Sequence, residues 1–346
     1  MKKRIILIGA LNRGNTAKCG ETRKNQLFES IFNEHTDYLN IIDTYDWKKK
    51  PFIIFKIFYF LIFYPSAKVI LSCSPISAYQ VIKFLFFFRF NKNIYYWVVG
   101  GSFSASVEKG IFKQKYFKYL NAIIVQGERM KLNLEKIGFE NIKHINNSKP
   151  IFQVEKKLKK ENDNYQFVFL SRIDITKGCN YIFEAVNKLN SEGFQNKFTV
   201  DFYGEISVDY KSSFLKSVNE NVNTKYNGFL NLIDTSSYNT LASYDVMLFP
   251  TFWVGEGFPG VILDAFISGL PTIASDWNLN KYVIKNGKTG LIIPANDVEA
   301  LTDAMRSVIN NQISIESMSR NCLNSSKEYD SLKILSKETL AKIGLL

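Results

Sequence analysis

The sequence predicts an α/β chain folded as two Rossmann-like, doubly wound domains that face each other across a cleft. Three observations carry this expectation. Short, apolar, β-rich runs alternate with helical stretches along the whole chain, the pattern of parallel sheets with helices on both faces. The alternation breaks once, in a polar, charged stretch at about 147–164, and then restarts. The length of 346 residues suits two domains at roughly 100 to 200 residues apiece, each able to bury its own core.

In the first half, strands are expected at RIILIG (4–9), LNIID (39–43), KVILSC (68–73), IYYWVV (94–99) and AIIVQG (122–127). They are nearly continuous apolar runs, as strands buried on both faces should be. Helices are expected between them at about 20–34, 52–63, 76–90, 109–120 and 128–137. After Ile145 the run NNSKPIFQVEKKLKKENDNY has one proline and few large apolar residues, and it reads as the interdomain linker. The second half continues with strands FVFLSR (167–172), FTVDFYG (198–204), DVMLFP (245–250) and PTIAS (271–275). Its helices are expected at 178–190, 209–219, 235–243 and 260–269. The expected domains are therefore 1–150 and 151–327.

Charge divides unevenly between these halves. Residues 1–150 carry 24 Lys and Arg against 10 Asp and Glu, a net +14, whereas residues 151–346 carry 20 against 22, a net −2. Between Asp46 and Glu108 there is no acidic residue, yet eight basic ones (Lys48, Lys49, Lys50, Lys56, Lys68, Lys83, Arg89, Lys92) sit among Phe-rich runs. Segments 47–64 and 76–92 thus mix Phe, Ile and Leu with cations, the composition either of helices that lie in an anionic membrane interface or of helices whose Phe fill the domain core while the cations face water. The same charge would suit a nucleic-acid binder, but no recognisable module accompanies it and no nucleic-acid partner is expected.

The basic opening MKKRIILIG has an apolar run of about six residues, shorter than the roughly 7 to 15 of a secretory signal, and reads as a first strand. The longest apolar stretch, PFIIFKIFYFLIFYP, spans about 13 residues between prolines and is broken by Lys56, well under the roughly 20 of a spanning helix. Cys19, Cys73, Cys179 and Cys322 are scattered without a C-x-x-C pair and read as reduced structural thiols of a cytoplasmic protein. His35 and His144 have no catalytic partner pattern, and no metal site is expected.

The chemistry concentrates in the second half. Strand 167–172 ends in Ser171-Arg172, and the loop leads to Lys177-Gly178 at a helix start. Such an Arg and Lys, at the carboxyl edge of a parallel sheet, suit one dianionic group, the Arg gripping phosphate bidentately and the Lys adding a point charge. Either one alone reads equally as a solvated loop cation. Further on, Gly255, Gly257 and Gly260 surround Glu256 and Pro259, followed by the short helix VILDAFISG. A glycine-rich turn at a helix start offers backbone N–H groups to phosphate. Glu256 on the turn is placed to accept sugar hydroxyls, and Asp264 lies inside the helix.

These stretches resemble the retaining GT-B glycosyltransferases of the "glycosyl transferases group 1" family, of the bacterial surface-polysaccharide type. The family's Glu, seven residues, second Glu pattern stands here as EGFPGVILDAFISGLPTIAS, with Glu256 first and Asp264 second. Its G-R-x-x-x-x-K-G stands as SRIDITKG, and its N-G-x-T-G-L as NGKTGL at 286–291. Gly204 and Gly228 fall where the family closes its strands. The resemblance implies that Glu256, Arg172 and Lys177 are the catalytic set, with Glu256 on the donor sugar and the two cations on the diphosphate. It implies that Asp264 meets the ribose, one methylene shorter than the usual Glu, and that Gly257, Phe258, Pro259, Gly260, Val261 and Gly204 shape the nucleotide site.

The first half resembles the family more weakly. The loop NRGNTAKCGETRKN is similar to its glycine-rich acceptor-side loop, with Gly14 and Gly20 as points of close approach. Where many members carry a His facing the donor sugar, this chain has Val98-Val99-Gly100-Gly101, leaving backbone groups or Ser102 to serve. The resemblance further implies that the last helix, about 328–346, returns to the first domain.

The expected activity is a metal-independent, retaining hexosyl transfer without a cofactor. The donor is a nucleotide-sugar, with a UDP-sugar favoured, and the acceptor a lipid-linked saccharide of capsule, exopolysaccharide or O-antigen assembly. The protein is expected at an anionic membrane surface, on the inner face of the plasma membrane. A non-catalytic GT-B partner subunit and a GT-B nucleotide-sugar epimerase are the alternatives, because fold alone does not fix function.

Overall fold

A computed structural model describes residues 3–14, 19–50, 52–88, 93–156 and 164–346, apart from the side chains of Lys48 and Phe88. Outside the described residues lie 15–18 of the glycine-rich loop, the expected helix end at 89–90 with Arg89, Lys92, and the linker centre at 157–163. The chain divides into two compact units: Met1–Asn147 with Ser331–Leu346, and Ser148–Asp330.

The sheet of the first unit contains β1 (Arg4–Gly9), β2 (Tyr38–Asp43), β3 (Lys68–Cys73), β4 (Ile94–Val98), β5 (Ala122–Val125) and β6 (Ile142–His144). All pair in parallel in the order β2-β1-β3-β4-β5-β6. Both faces are covered. Ile6, Val69, Leu71, Tyr96 and Ile123 enter one buried cluster, whereas Ile5, Leu7, Ile70, Trp97 and Ile124 enter another. This division is the alternation of strand side chains, with apolar residues demanded on both sides.

The helices of this unit are α1 (Gly20–His35), α2 (Ile53–Phe63), α3 (Pro75–Phe88), α4 (Phe103–Glu108), α5 (Gln114–Lys118) and α6 (Glu128–Lys136). The helix expected at 109–120 is not continuous. Gly110 adopts φ +73° between α4 and α5, a left-handed turn that a helix cannot pass through. Helix α2 buries only Ile57 and Leu61 and leaves Phe52, Phe55 and Phe63 77, 70 and 63% exposed.

The second unit contains β7 (Tyr165–Leu170), β8 (Phe198–Tyr203), β9 (Thr224–Tyr226), β10 (Val246–Phe249), β11 (Thr272–Ser275) and β12 (Gly290–Ile293). They pair in parallel as β12-β11-β10-β7-β8-β9. Its helices are α7 (Cys179–Ser191), α8 (Lys211–Glu220), α9 (Thr235–Ala242), α10 (Gly260–Ile267), α11 (Asn280–Val283), α12 (Val298–Ile309) and α13 (Ile315–Ser326). The described start of the expected linker is not a loose tether. Phe152 stacks on Tyr238 at 4.7 Å, and Lys156 Nζ donates to the carbonyls closing α9, Ala242 and Tyr244, so this segment packs on the second unit. Burial with few opposing charges lowers the Lys156 ammonium to about 8.

After Asp330 the chain rejoins the first unit. The continuous helix expected there is instead two short ones, α14 (Ser331–Ile334) and α15 (Lys337–Lys342). Leu335, Leu340 and Leu345 are buried with Ile5, Leu7 and Trp97, and Tyr95 Oη donates to the Gly344 carbonyl at 2.7 Å. Leu340 is fully buried. Leu340→Ala should therefore lower the stability of this unit by about 2–5 kcal/mol, the usual cost of a large-to-small core change, seen as a lower urea midpoint.

Candidate functional site

In the second unit the chain reverses direction across the sheet between β7 and β10, and ligands of open α/β sheets bind outside the strand carboxyl ends at such a switch point. The loops leaving these two strands carry Arg172, Lys177 and Glu256. After β7, Asp174 caps a short 3-10 turn, its Oδ1 accepting from the Thr176 N–H at 3.0 Å and the Thr176 hydroxyl at 2.7 Å. Gly178 follows at φ +81°, where a Cβ would lie 2.2 Å from the Pro250 carbonyl oxygen. Only glycine lets the loop approach the end of β10 so closely. The two loops are also joined by the Phe252 N–H, which donates to the Thr176 carbonyl at 2.9 Å.

Lys177 and Glu256 are 5 and 9% exposed. Lys177 Nζ donates to Glu256 Oε2, and the Thr251 hydroxyl donates to the same oxygen at 3.3 Å. Lys177 Nζ also stands 4.5 Å from the Trp253 ring centroid, and Arg172 Cζ stands 5.4 Å from it. The indole face therefore attracts both cations. Trp277 Nε1 fixes this loop by donating to the Trp253 carbonyl at 2.7 Å, and Asn278 Nδ2 donates to the Glu256 carbonyl at 3.0 Å.

This arrangement modifies the expectation for the two cations. Arg172 is exposed, but Lys177 is buried and already compensated by Glu256. An ammonium taken out of water beside no carboxylate would cost several kcal/mol, so the pair forms across the two loops. The residues assigned to separate roles on sugar and diphosphate are thus bonded to each other.

Glu256 leads into Gly257, Phe258 and the N-cap Pro259, after which α10 opens with Gly260 and Val261. No side chain caps this helix start. Its first N–H groups and the positive end of the helix dipole suit an anion. Gly204, at the end of β8, is held so close that a Cβ would fall 1.8 Å from the Ser171 carbonyl oxygen, adjoining Arg172.

Asp264 lies within α10, 4% exposed. Lys149 Nζ donates to its Oδ2 at 2.9 Å and Tyr238 Oη to its Oδ1 at 2.6 Å. Both oxygens of the carboxylate expected to meet a ribose are engaged within the unit. The Lys149 N–H also donates to the Tyr329 carbonyl at 3.0 Å, so Asp264 ties α10 to the two chain segments that begin and end this unit.

In the first unit, Gly14 forms a turn at φ +78° and Gly20 begins α1, and a Cβ on either would meet no atom of the described residues within 4 Å. Gly100 (φ +90°) and Gly101 follow β4, and Ser102 is the N-cap of α4 without a side-chain cap bond. His35 ends α1, and His144 Nδ1 lies 3.0 Å from Glu128 Oε2. All four thiols are free, with Cys19 exposed and the others buried. Among the described residues, no three His, Cys, Asp or Glu side chains gather as a metal ion would require, and no helix is long and apolar enough to cross a membrane.

Sequence reasoning missed Trp253, Thr251, Lys149 and Tyr238. Trp253 stands three residues before Glu256, and an aromatic ring next to a glycine-rich turn was the available signal. Lys149 had none, being one lysine among many near the linker.

A family model described as "Glycosyl transferases group 1" matches residues 151–325. The UDP-Gal:alpha-D-GlcNAc-diphosphoundecaprenol alpha-1,3-galactosyltransferase of Escherichia coli is 29% identical over 172 residues, 49% of this chain and 43% of that protein. An uncharacterized 41.2 kDa protein in the cps region of Klebsiella pneumoniae is 26% identical over 280 residues, 81% of this chain and 61% of that protein. The chain therefore spans less than two thirds of the length of these relatives. Among solved structures, Anabaena HepE in complex with UDP has a similar fold, with a TM-score of 0.70 at 13% identity and 98% of both chains covered.

The buried pair yields a direct test. Lys177→Met should destabilise the chain by about 3–5 kcal/mol, because Glu256 is left buried without its counter-charge. Adding Glu256→Gln to that variant should recover part of the loss, so urea unfolding of the double-mutant cycle should give a non-additive result.

Proposed function

The chain belongs to the glycosyl transferases group 1 family, and on that premise we propose that it is a retaining glycosyltransferase. In this reading it moves a sugar from a UDP-sugar to a lipid-linked saccharide during assembly of a bacterial surface polysaccharide such as capsule, exopolysaccharide or O-antigen. The observation that carries the reading is the Lys177–Glu256 pair at the switch point of the second sheet, with Arg172 exposed beside it and the uncapped start of α10 next in the chain.

The diphosphate of the donor meets Arg172, the remaining protons of Lys177 and the N–H groups of Gly260 and Val261. This cationic clamp stabilises the charge that develops on the leaving UDP, and the clamp itself serves in place of a metal ion. Glu256, whose carboxylate keeps unused lone pairs, accepts hydroxyls of the donor sugar. The bond from the anomeric carbon to the phosphate oxygen breaks, and the acceptor oxygen bonds to the same face. The acceptor proton passes to the departing phosphate.

UDP is favoured because the E. coli relative is named for UDP-Gal and HepE was solved with UDP. The lipid-linked acceptor is supported by the diphosphoundecaprenol in that relative's name. It is also supported by the surface of α2, which exposes Phe52, Phe55, Tyr59 and Phe63 beside exposed Lys49, Lys50 and Lys56. Apolar rings flanked by cations suit the headgroup boundary of an anionic bilayer, which supports reading the protein as a peripheral membrane enzyme.

Incubation with UDP-sugars and short-chain lipid-diphosphate saccharides, with the product anomer read by NMR, tests the reaction. An inverted product or no transfer from any donor would overturn it. Arg172→Ala should slow transfer at least tenfold, matching the loss of about 1.5–3 kcal/mol from one charge-assisted hydrogen bond, and unchanged turnover would remove the clamp. Binding to vesicles containing anionic lipid should weaken with salt and fall at least tenfold in the Phe55→Glu, Phe63→Glu double variant. Cosedimentation equal to that of the unaltered chain would refute the membrane face.

A further inference from the structure

The exposed cation of the second unit's site is aimed by very little. Among the described residues, the Arg172 guanidinium enters no hydrogen bond or ion pair. Its backbone, by contrast, is fixed on both sides. The Ser171 N–H donates to the Tyr203 carbonyl at 3.2 Å, and the Ile173 N–H donates to the Glu205 carbonyl at 2.9 Å. What remains open is the direction of a long side chain with many rotamers. Asp174 attracts the guanidinium through space, but that carboxylate is committed to Thr176. The group over which the guanidinium lies is the Trp253 ring, whose centroid is 5.4 Å from Cζ.

Trp253 is itself a fixed platform. Its N–H donates to Thr251 Oγ1 at 3.3 Å, and its carbonyl accepts from Trp277 Nε1 at 2.7 Å and from the Glu256 N–H at 3.0 Å. Gly255 lies against the indole. A Cβ there would fall 2.5 Å from Trp253 Cζ2 and 2.8 Å from Cε2, so any side chain at 255 would push the ring aside. The turn from 253 to 256 is thus wound around its own indole.

Lys177 Nζ stands 4.5 Å from the same centroid and is held independently by Glu256. Two neighbouring cations repel each other, and the negative π face of a shared ring offsets part of that repulsion. The ring therefore keeps the pair together where one dianion can bridge them. Charges seated before the ligand arrives need no reorganisation when it does. Indole is the side chain best suited to this, because its face attracts cations more strongly than that of Tyr or Phe.

We propose that Trp253 is a positioning residue of the donor site, its indole seating Arg172 beside Lys177 so that the two cations meet one diphosphate. The proposal rests on the nucleotide-sugar reading and adds to it a residue that acts through Arg172 rather than on the sugar.

The test is calorimetric titration of the full chain with UDP and with inorganic pyrophosphate, using tryptophans of increasing fluorination placed at position 253. Fluorine withdraws charge from the ring face while the indole shape is kept, so the attraction for cations fades and the packing stays. Both dissociation constants should rise stepwise, by about three- to tenfold at the tetrafluorinated ring. Trp253→Phe should keep part of the affinity that Trp253→Leu loses. In an Arg172→Met chain the fluorine series should flatten, because Lys177 keeps its place through Glu256. Constants that do not change along the series, a series that moves UDP but not pyrophosphate, or one undiminished in Arg172→Met would each refute the positioning role and leave the donor reading intact. A native chain that binds pyrophosphate with the graded loss but does not bind UDP would overturn the UDP donor and keep the role of Trp253. A native chain that binds neither would overturn both.

Discussion

A buried ion pair between two loops organises the second unit. Removing an ammonium and a carboxylate from water costs several kcal/mol per ion, and the cost is recovered only if partners and geometry are nearly complete. The chain meets that demand with the Thr251 hydroxyl on Glu256 and the Trp253 ring on Lys177. The demand extends to the backbone, because the loops after β7 and β10 must touch. Gly178 permits the contact, and the Phe252 N–H secures it. The parallel order that sets β7 beside β10 is therefore what brings chemistry from two distant parts of the sequence to one point.

The legibility of the sequence followed the length of its signals. Long apolar runs such as 4–9 and 68–73 coincide with β1 and β3, because a strand covered on both faces has no polar position to confuse its pattern. Strands β6 and β9 have only three residues each, IKH and TKY, and carry no periodicity to detect. At the site, Arg172, Lys177 and Glu256 stood out by spacing, but their pairing did not. Lys177 and Glu256 are 79 residues apart, and Lys149 and Asp264 are 115 apart, so nothing local announces either bond.

The two units share a topology and use it differently. Unit for unit, each sheet reverses at a central strand. The second unit compensates its buried charges almost completely within itself, through Lys177 with Glu256 and Lys149 with Asp264. The first unit instead turns aromatic rings outward along α2. The net +14 lies in residues 1–150, whereas Arg172 and Lys177 of the second unit lie in a half with net −2.

The return of residues 331–346 to the first unit has a consequence for synthesis on the ribosome. Leu335, Leu340 and Leu345 complete one face of a sheet whose strands were made first, yet they emerge after all of the second unit. The second unit, continuous in sequence, closes its core without waiting for distant residues. The first must keep Ile5, Leu7 and Trp97 incompletely covered until the second unit has been translated, so its final consolidation comes later and inverts the usual order in which amino-terminal domains finish first.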